Sequence, residues 1–189
     1  IAQIHEGITT GCNRFFMLHD ITEKMLLEEQ GLLLSGSLLA SIKNVPTDAQ
    51  TIKALVAKNL RVVQNGWNEK WLIETACLQT LMSIAHTKFL LLTIDTHTLS
   101  NTQKRYPHTA QYVVWGEKRN IATRPIVKQR NPWYSIVMPP IPNLYMPKQV
   151  LTYANIYQTK YFVDNNFFIF NVTGNYSILC DEFAIQKNF

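Results

Sequence analysis

The sequence predicts an α+β fold: mixed, largely antiparallel sheet elements with several helices packed against them. Three observations carry this. Short apolar and aromatic runs read as strands, among them Phe89–Ile94, Tyr161–Val163 and Phe167–Val172, the last two separated by Asp164-Asn165-Asn166. Other segments, such as Ile21–Leu34, follow a helical pattern. Hydrophobic residues make up 47% of the 189 residues and aromatics 11%, enough to build a core, so residues 1–189 are read as one domain with room for a subdomain.

Taken in order, Ile1–Leu18 (IAQIHEGITTGCNRFFML) reads as strand, glycine-punctuated loop, strand, with Ile4 and Ile8 before Thr9–Thr10 and Phe15–Leu18 after. Gly7 and Gly11 permit positive φ or close backbone approach. Ile21–Leu34 is helix-compatible, with Thr22 as N-cap and Gly36 as punctuation. Leu38–Ile42 is a short apolar run and Asn44–Asp48 a turn. Thr47 or Asp48 then caps a helix to Lys58, with Ile52, Leu55 and Val56 on one face. Leu60–Val63 is a strand before the turn signal Asn65-Gly66. Trp71–Ala85 sets Leu72, Ala76, Leu81 and Ile84 at helical spacing, and Phe89–Ile94 is the best buried-strand candidate. Pro107 suits a helix first turn; Tyr112, Val113 and Trp115 give that helix an apolar face, and Lys118 and Arg119 suit the negative end of its dipole. Trp133–Met138 is strand-like. Pro139, Pro140 and Pro142 form an extended connector. Gln149–Ala154, Tyr161–Val163 and Phe167–Val172 are three more strands, with turn chemistry at Asn155–Thr159 and Asp164–Asn166.

Charge is unevenly distributed. Residues 1–99 carry 8 basic and 9 acidic side chains, and residues 161–189 carry 1 and 3. Residues 100–160 carry 9 basic side chains and a single acid, Glu117. Within that block, Lys118–Tyr134 (KRNIATRPIVKQRNPWY) has five cations and no acid, and ends in Trp133-Tyr134. A nearly single-sign block attracts phosphate, and interleaved aromatics can stack on bases.

Several chemistries find no pattern here. The histidines are scattered, no HExxH or HxH occurs, and Asp95 and His97 lack a third ligand, so no metal is expected. Cys12, Cys77 and Cys180 are odd in number and widely spaced, which reads as reduced, mostly buried thiols in a cytoplasmic protein. No GxSxG, nuclease-like carboxylate pattern or phosphate-binding glycine loop is present. No apolar run approaches the ~18–20 residues of a membrane span, so no membrane partner is expected. The chain opens on Ile1 without a signal-like pattern and is read as a piece of a longer protein.

Motifs narrow the reading. Asn131-Pro132-Trp133-Tyr134 resembles the Asn-Pro-Pro-Tyr catalytic tetrad of N6-adenine methyltransferases, but its second proline is missing and no glycine-rich strand–loop for S-adenosylmethionine precedes it. GITTGCNRFFML at Gly7–Leu18 resembles the G-I-x-T-G-x-N-x-x-F opening of the target recognition domain of type II restriction–modification N6-adenine methyltransferases, of the Eco57I and TaqI kind. RNPWYSI at Arg130–Ile136 resembles that domain's R-x-x-W-Y motif, and YVVWGE at Tyr112–Glu117 its Y-x-x-x-G-E segment. Met146-Pro147-Lys148 and Asn165-Asn166 resemble the family's segment C-terminal to W-Y. The motifs span nearly the whole chain in order, with a weaker match over residues 30–90.

The resemblance implies a non-catalytic domain that recognises duplex DNA sequence, mainly from the major groove. The catalytic methyltransferase domain, with its S-adenosylmethionine, would lie elsewhere in the same parent chain, so no cofactor is expected in this one. Arg124, Lys128 and Arg130 are the first candidates for DNA contact, and Thr9, Thr10, Asn13 and Arg14 the second. Lys118, Arg119, Lys148 and Lys160 suit phosphates, and no residue is expected to be catalytic. The alternatives are a compact adenine methyltransferase using Asn131–Tyr134 and a protein-binding specificity module.

Overall fold

The strand run Met17–Asp20 (β2) sits between two partners and uses one half of its length for each. Met17 and Leu18 pair antiparallel with Leu91 and Leu90 of β7 (Lys88–Leu92), and His19 and Asp20 with Gln64 and Val63 of β4 (Leu60–Gln64). In this computed structural model, residues 4–23, 42–43, 54, 57–95, 98–149 and 156–172 are described. They form the α+β architecture the sequence predicts, largely antiparallel, with helices packed on sheet.

The chain divides into two compact units. The larger comprises Thr10–Gln79 and Phe89–Ile136. Two further strands complete its sheet, β3 (Ile42–Lys43) and β5 (Lys70–Glu74), joined to each other in parallel. The order is β7–β2–β4–β5–β3. β4 and β5 form the hairpin that Asn65-Gly66 announces, in register from Leu60↔Glu74 to Gln64↔Lys70. A single helical turn, α1 (Asn13–Phe16), precedes β2, and two helices, α2 (Leu99–Arg105) and α3 (Pro107–Lys118), follow β7. α2 starts at Thr98, whose hydroxyl accepts the Asn101 amide. α3 has no cap on its own chain segment. Glu74, at the end of β5, supplies one: its carboxylate accepts the amides of His108 and Thr109 at 2.9 and 2.8 Å and the Thr109 hydroxyl at 2.5 Å. An anion at a helix N-terminus satisfies orphan N–H groups and meets the positive end of the dipole.

An aromatic cluster forms the core of this unit. Phe15 is fully buried and stacks on Tyr112 at 4.6 Å between centroids and 5° between planes. The Tyr112 hydroxyl donates to the Phe15 carbonyl at 3.0 Å. Trp71 meets Tyr112 edge-on, and Trp133 lies 5.3 Å from Phe15. Gly116 makes this possible. A Cβ there would sit 2.5 Å from the Phe15 ring and 3.0 Å from that of Trp133.

The smaller unit comprises Ile1–Thr9, Thr80–Lys88 and Val137–Phe189. Its sheet is antiparallel, in the order β1 (Ile4–Glu6), β11 (Phe167–Phe170), β8 (Leu144–Pro147), β9 (Tyr157–Gln158). β6 (Leu78–Met82) pairs in parallel with β10 (Phe162–Val163) through Leu81 and Met82. Met82, Tyr145, Val163, Phe167 and Ile169 fill its core.

Four sequence expectations are corrected. Trp71–Ala85 is no helix. It forms β5, a 3-10 turn at Thr75–Cys77, β6 and a second 3-10 turn at Ile84–His86. Trp71, Leu72 and Ile73 are consecutive and all buried, so this is a strand covered on both faces, where no two-residue alternation survives. Trp133–Met138 is not a strand either; it turns at Trp133–Tyr134 and then runs without regular structure to the prolines. At the N-terminus, the segment expected as strand from Phe15 begins as α1 and becomes β2 only at Met17. Thr22 does not act alone as a cap: its hydroxyl donates to the Val62 carbonyl and accepts the Val62 amide, while Asp20 accepts the Thr22 amide. The rest of the expected helix Ile21–Leu34 beyond Glu23, the apolar run 38–41, the turn 44–48, most of the helix to Lys58 and the strand at 150–154 lie outside the described residues. Ala54 and Ala57 are helical.

Gly116→Ala is expected to lower stability by about 1–3 kcal/mol through overpacking against Phe15. Glu74→Ala should cost about 0.5–2 kcal/mol by removing the α3 cap. Urea midpoints measure both, and an unchanged midpoint for either refutes the role given to that residue.

Candidate nucleic-acid interface

The basic stretch begins where α3 ends. Asn120 adopts the left-handed conformation (φ 57°), and its amide bonds back to the Glu117 carbonyl at 2.9 Å, which stops the helix and turns the chain outward. Two short 3-10 turns come next, Ile121–Thr123 and Val127–Gln129. Ile121 and Val127 are both fully buried and pin the loop at two points. Between and beside these anchors, Thr123, Arg124, Pro125, Ile126 and Lys128 are exposed. The apolar spacing inside the basic stretch therefore decides which way its cations face. Among the described residues, no carboxylate pairs with Arg124 or Lys128.

Arg130 differs from its neighbours. It is half-buried, its guanidinium lies 5.5 Å from the Phe16 ring centroid, and burial lowers its pKa. It anchors the end of the loop to α1.

The glycine loop meets the basic loop directly. Gly11 has φ +72° and touches Ile126 and Val127, where a Cβ would lie 2.9 Å from Ile126. Asn13 and Arg14, two and three residues on, are exposed. With Cα atoms 3.8 Å apart along the chain, Asn13, Arg14, Arg124 and Lys128 all lie within roughly 12 Å of that contact along their own segments. Thr10 is buried. Its hydroxyl donates to the Asn13 side-chain oxygen and accepts the Cys12 amide, so it shapes the loop from inside.

The three motif segments of this unit converge on the aromatic cluster. Phe15 and Phe16 come from the first, Tyr112 and Gly116 from the second, and Trp133 from the third. The Trp133 indole N–H donates to the Glu117 carboxylate at 3.1 Å. Tyr134 is buried, and burial raises its pKa, partly offset by the Thr102 hydroxyl. Tyr134 is enclosed and Trp133 packs on Phe15.

The remaining site candidates separate. Arg119 forms an ion pair with Glu69 at 2.8 Å and lies 4.7 Å from the Trp115 ring centroid, so much of its charge is met internally. Lys118 is exposed, beside a cleft of about 670 Å³ lined by Trp71, Gln111 and Trp115. Thr9, Lys148 and Lys160 belong to the smaller unit. There Lys148 pairs with Glu6 at 2.9 Å, and Lys160 is exposed, 5.8 Å from the Tyr161 ring centroid.

The tip of the β4–β5 hairpin joins this surface without having been a sequence candidate. The Gly66 amide donates to the Arg14 carbonyl at 2.9 Å, which seats the tip beside the glycine loop. Trp67 is half-exposed, Asn68 is exposed, and Arg119 lies 5.9 Å from the Trp67 ring centroid. Asn65-Gly66 signalled the turn, but nothing in the sequence tied that turn to Arg14.

Among the described residues there is no cluster of three His, Cys, Asp or Glu able to hold a metal, and no helix long and apolar enough to cross a membrane. Cys12 and Cys77 are free and buried, and burial pushes the Cys77 thiol up to about 12. Comparison with protein-family models, curated proteins and solved structures finds no match to the chain.

Gly11→Ala should destabilise the larger unit by about 1–2 kcal/mol for the left-handed backbone alone and loosen the basic loop. Limited trypsin cleavage after Lys128 is expected to accelerate; an unchanged cleavage rate rules out Gly11 as the loop's support. Cys12 and Cys77 should react with a thiol reagent at pH 8 only after unfolding, as read by mass spectrometry.

Proposed function

We propose that this chain is a sequence-specific recognition domain for double-stranded DNA, non-catalytic by itself, serving a restriction–modification adenine methyltransferase. One observation carries the reading: the glycine loop and the basic loop pack on each other through Gly11 and Ile126, leaving Arg14, Arg124 and Lys128 exposed around the contact. Clustered cations on a surface supply phosphate affinity and hold a duplex in register. Of the nearby acids, Glu69 is paired with Arg119, which offsets its repulsion of phosphates. Arg130 supports the loop end and keeps its positive charge. S-adenosylmethionine and the adenine to be methylated would belong to a catalytic domain of the parent chain.

Binding to a labelled duplex over a range of salt concentrations tests this. The double variant Arg124→Ala/Lys128→Ala should bind more weakly. Its slope of log affinity against log salt should fall by roughly 0.9 for each phosphate that is no longer neutralised. An unchanged slope, or no duplex binding by the unsubstituted chain, refutes the proposal. S-adenosylmethionine binding to residues 1–189 would favour the compact methyltransferase instead.

A further inference from the structure

The tip of the β4–β5 hairpin carries two amides held against each other. The Gln64 Nε2 donates to Asn68 Oδ1 at 3.3 Å. Asn68 is exposed and Gln64 half-exposed, and among the described residues no other group engages either side chain. The tip is rigid. The Asn65 side-chain oxygen accepts the amides of Trp67 and Glu69, each at 3.0 Å, and the Asn65 amide bonds to the Glu69 carbonyl at 3.0 Å. Asn68 holds a left-handed backbone (φ 60°), a conformation Asn tolerates better than most residues. Gly66 is seated on Arg14, where a Cβ would come within 2.7 Å of the Arg14 backbone, so the amide pair is fixed beside a cationic loop.

We infer that Gln64 and Asn68 form a base-reading site that accepts the major-groove edge of an A·T pair. The inference rests on the DNA-binding proposal and names where its sequence specificity resides. With one Gln64 proton given to Asn68 Oδ1, the pair still offers the Gln64 Oε1 acceptor and the Asn68 Nδ2 donor. Adenine presents the complementary set, an N6 amino donor beside the N7 acceptor. An amide pair already joined by its own hydrogen bond loses less side-chain freedom on binding. Arg14, on whose backbone Gly66 rests, brings a cation to the adjoining phosphate. The ion pair of Glu69 with Arg119 removes the carboxylate that would oppose it.

The experiment uses the full chain of residues 1–189. Sites are enriched from a random-sequence duplex library, then affinities are measured for the enriched duplex and for each single base-pair replacement. The unsubstituted chain should select at least one A·T pair. Asn68→Gly keeps a residue suited to positive φ, so the fold is retained while the amide is removed. In that variant, discrimination at one A·T position should fall roughly tenfold or more, and Gln64→Ala should flatten the same position. Lys128→Ala, by contrast, should weaken all duplexes alike. If both amide variants keep the original preference at every position, or if the unsubstituted chain binds duplexes without sequence preference, the hairpin assignment is overturned while duplex binding stands. If the unsubstituted chain binds no duplex, both readings fall.

Discussion

The stack of Phe15 on Tyr112, wedged against Gly116, is the contact on which the larger unit depends. It joins a single helical turn too short to be stable alone to the longest helix among the described residues. Offset or parallel aromatic pairs contribute about 0.5–1.5 kcal/mol beyond their burial, and here Trp133, Trp71 and Trp115 extend the same cluster. The Tyr112 hydroxyl bond to the Phe15 carbonyl adds direction, because a buried phenol left without an acceptor would be costly. With Phe15 fixed, the turn from Gly11 to Arg14 that precedes it is held at its end, and the loop between Ile121 and Val127 rests on Gly11 through Ile126.

The electrostatics depend on this packing. Three acids of the larger unit have structural work: Glu74 closes α3, Glu117 accepts the Trp133 indole, and Glu69 meets Arg119. The cations are divided in the same way. Arg119 and Arg130 lie against aromatic rings, whereas Arg14, Arg124 and Lys128 face solvent. A linear charge count treats these five alike. Burial separates them, since a guanidinium can cover a ring and still keep its charge.

The hairpin shows how a local signal and a tertiary one combine. Asn65-Gly66 suits a tight reversal from its own chemistry, and Asn65 closes the turn with its side chain. The placement of the tip comes from Gly66 lying on Arg14, remote in the chain, which only folding of β4 against β2 brings about. Lys148 and Lys160 belong to the other unit, where the Glu6 partner of the first comes from an edge strand.

The residues themselves determined a good deal: the α+β class, the strands around Val62, Leu91 and Phe168, the helix that starts at Pro107, and the concentration of cations after Tyr112. These are properties of short windows, where pattern and propensity agree. The tertiary structure decided the rest. Trp71-Leu72-Ile73 became a strand buried on both faces, with α3 packed against it, a fact absent from its own periodicity. Trp133 packed on Phe15 because Gly116 leaves room for both rings. Of the candidate cations, those beside Ile121 and Val127 reached solvent because two buried aliphatic anchors rotate the loop outward. Side-chain chemistry is written along the chain; which side of a side chain meets water depends on partners that the sequence places far away.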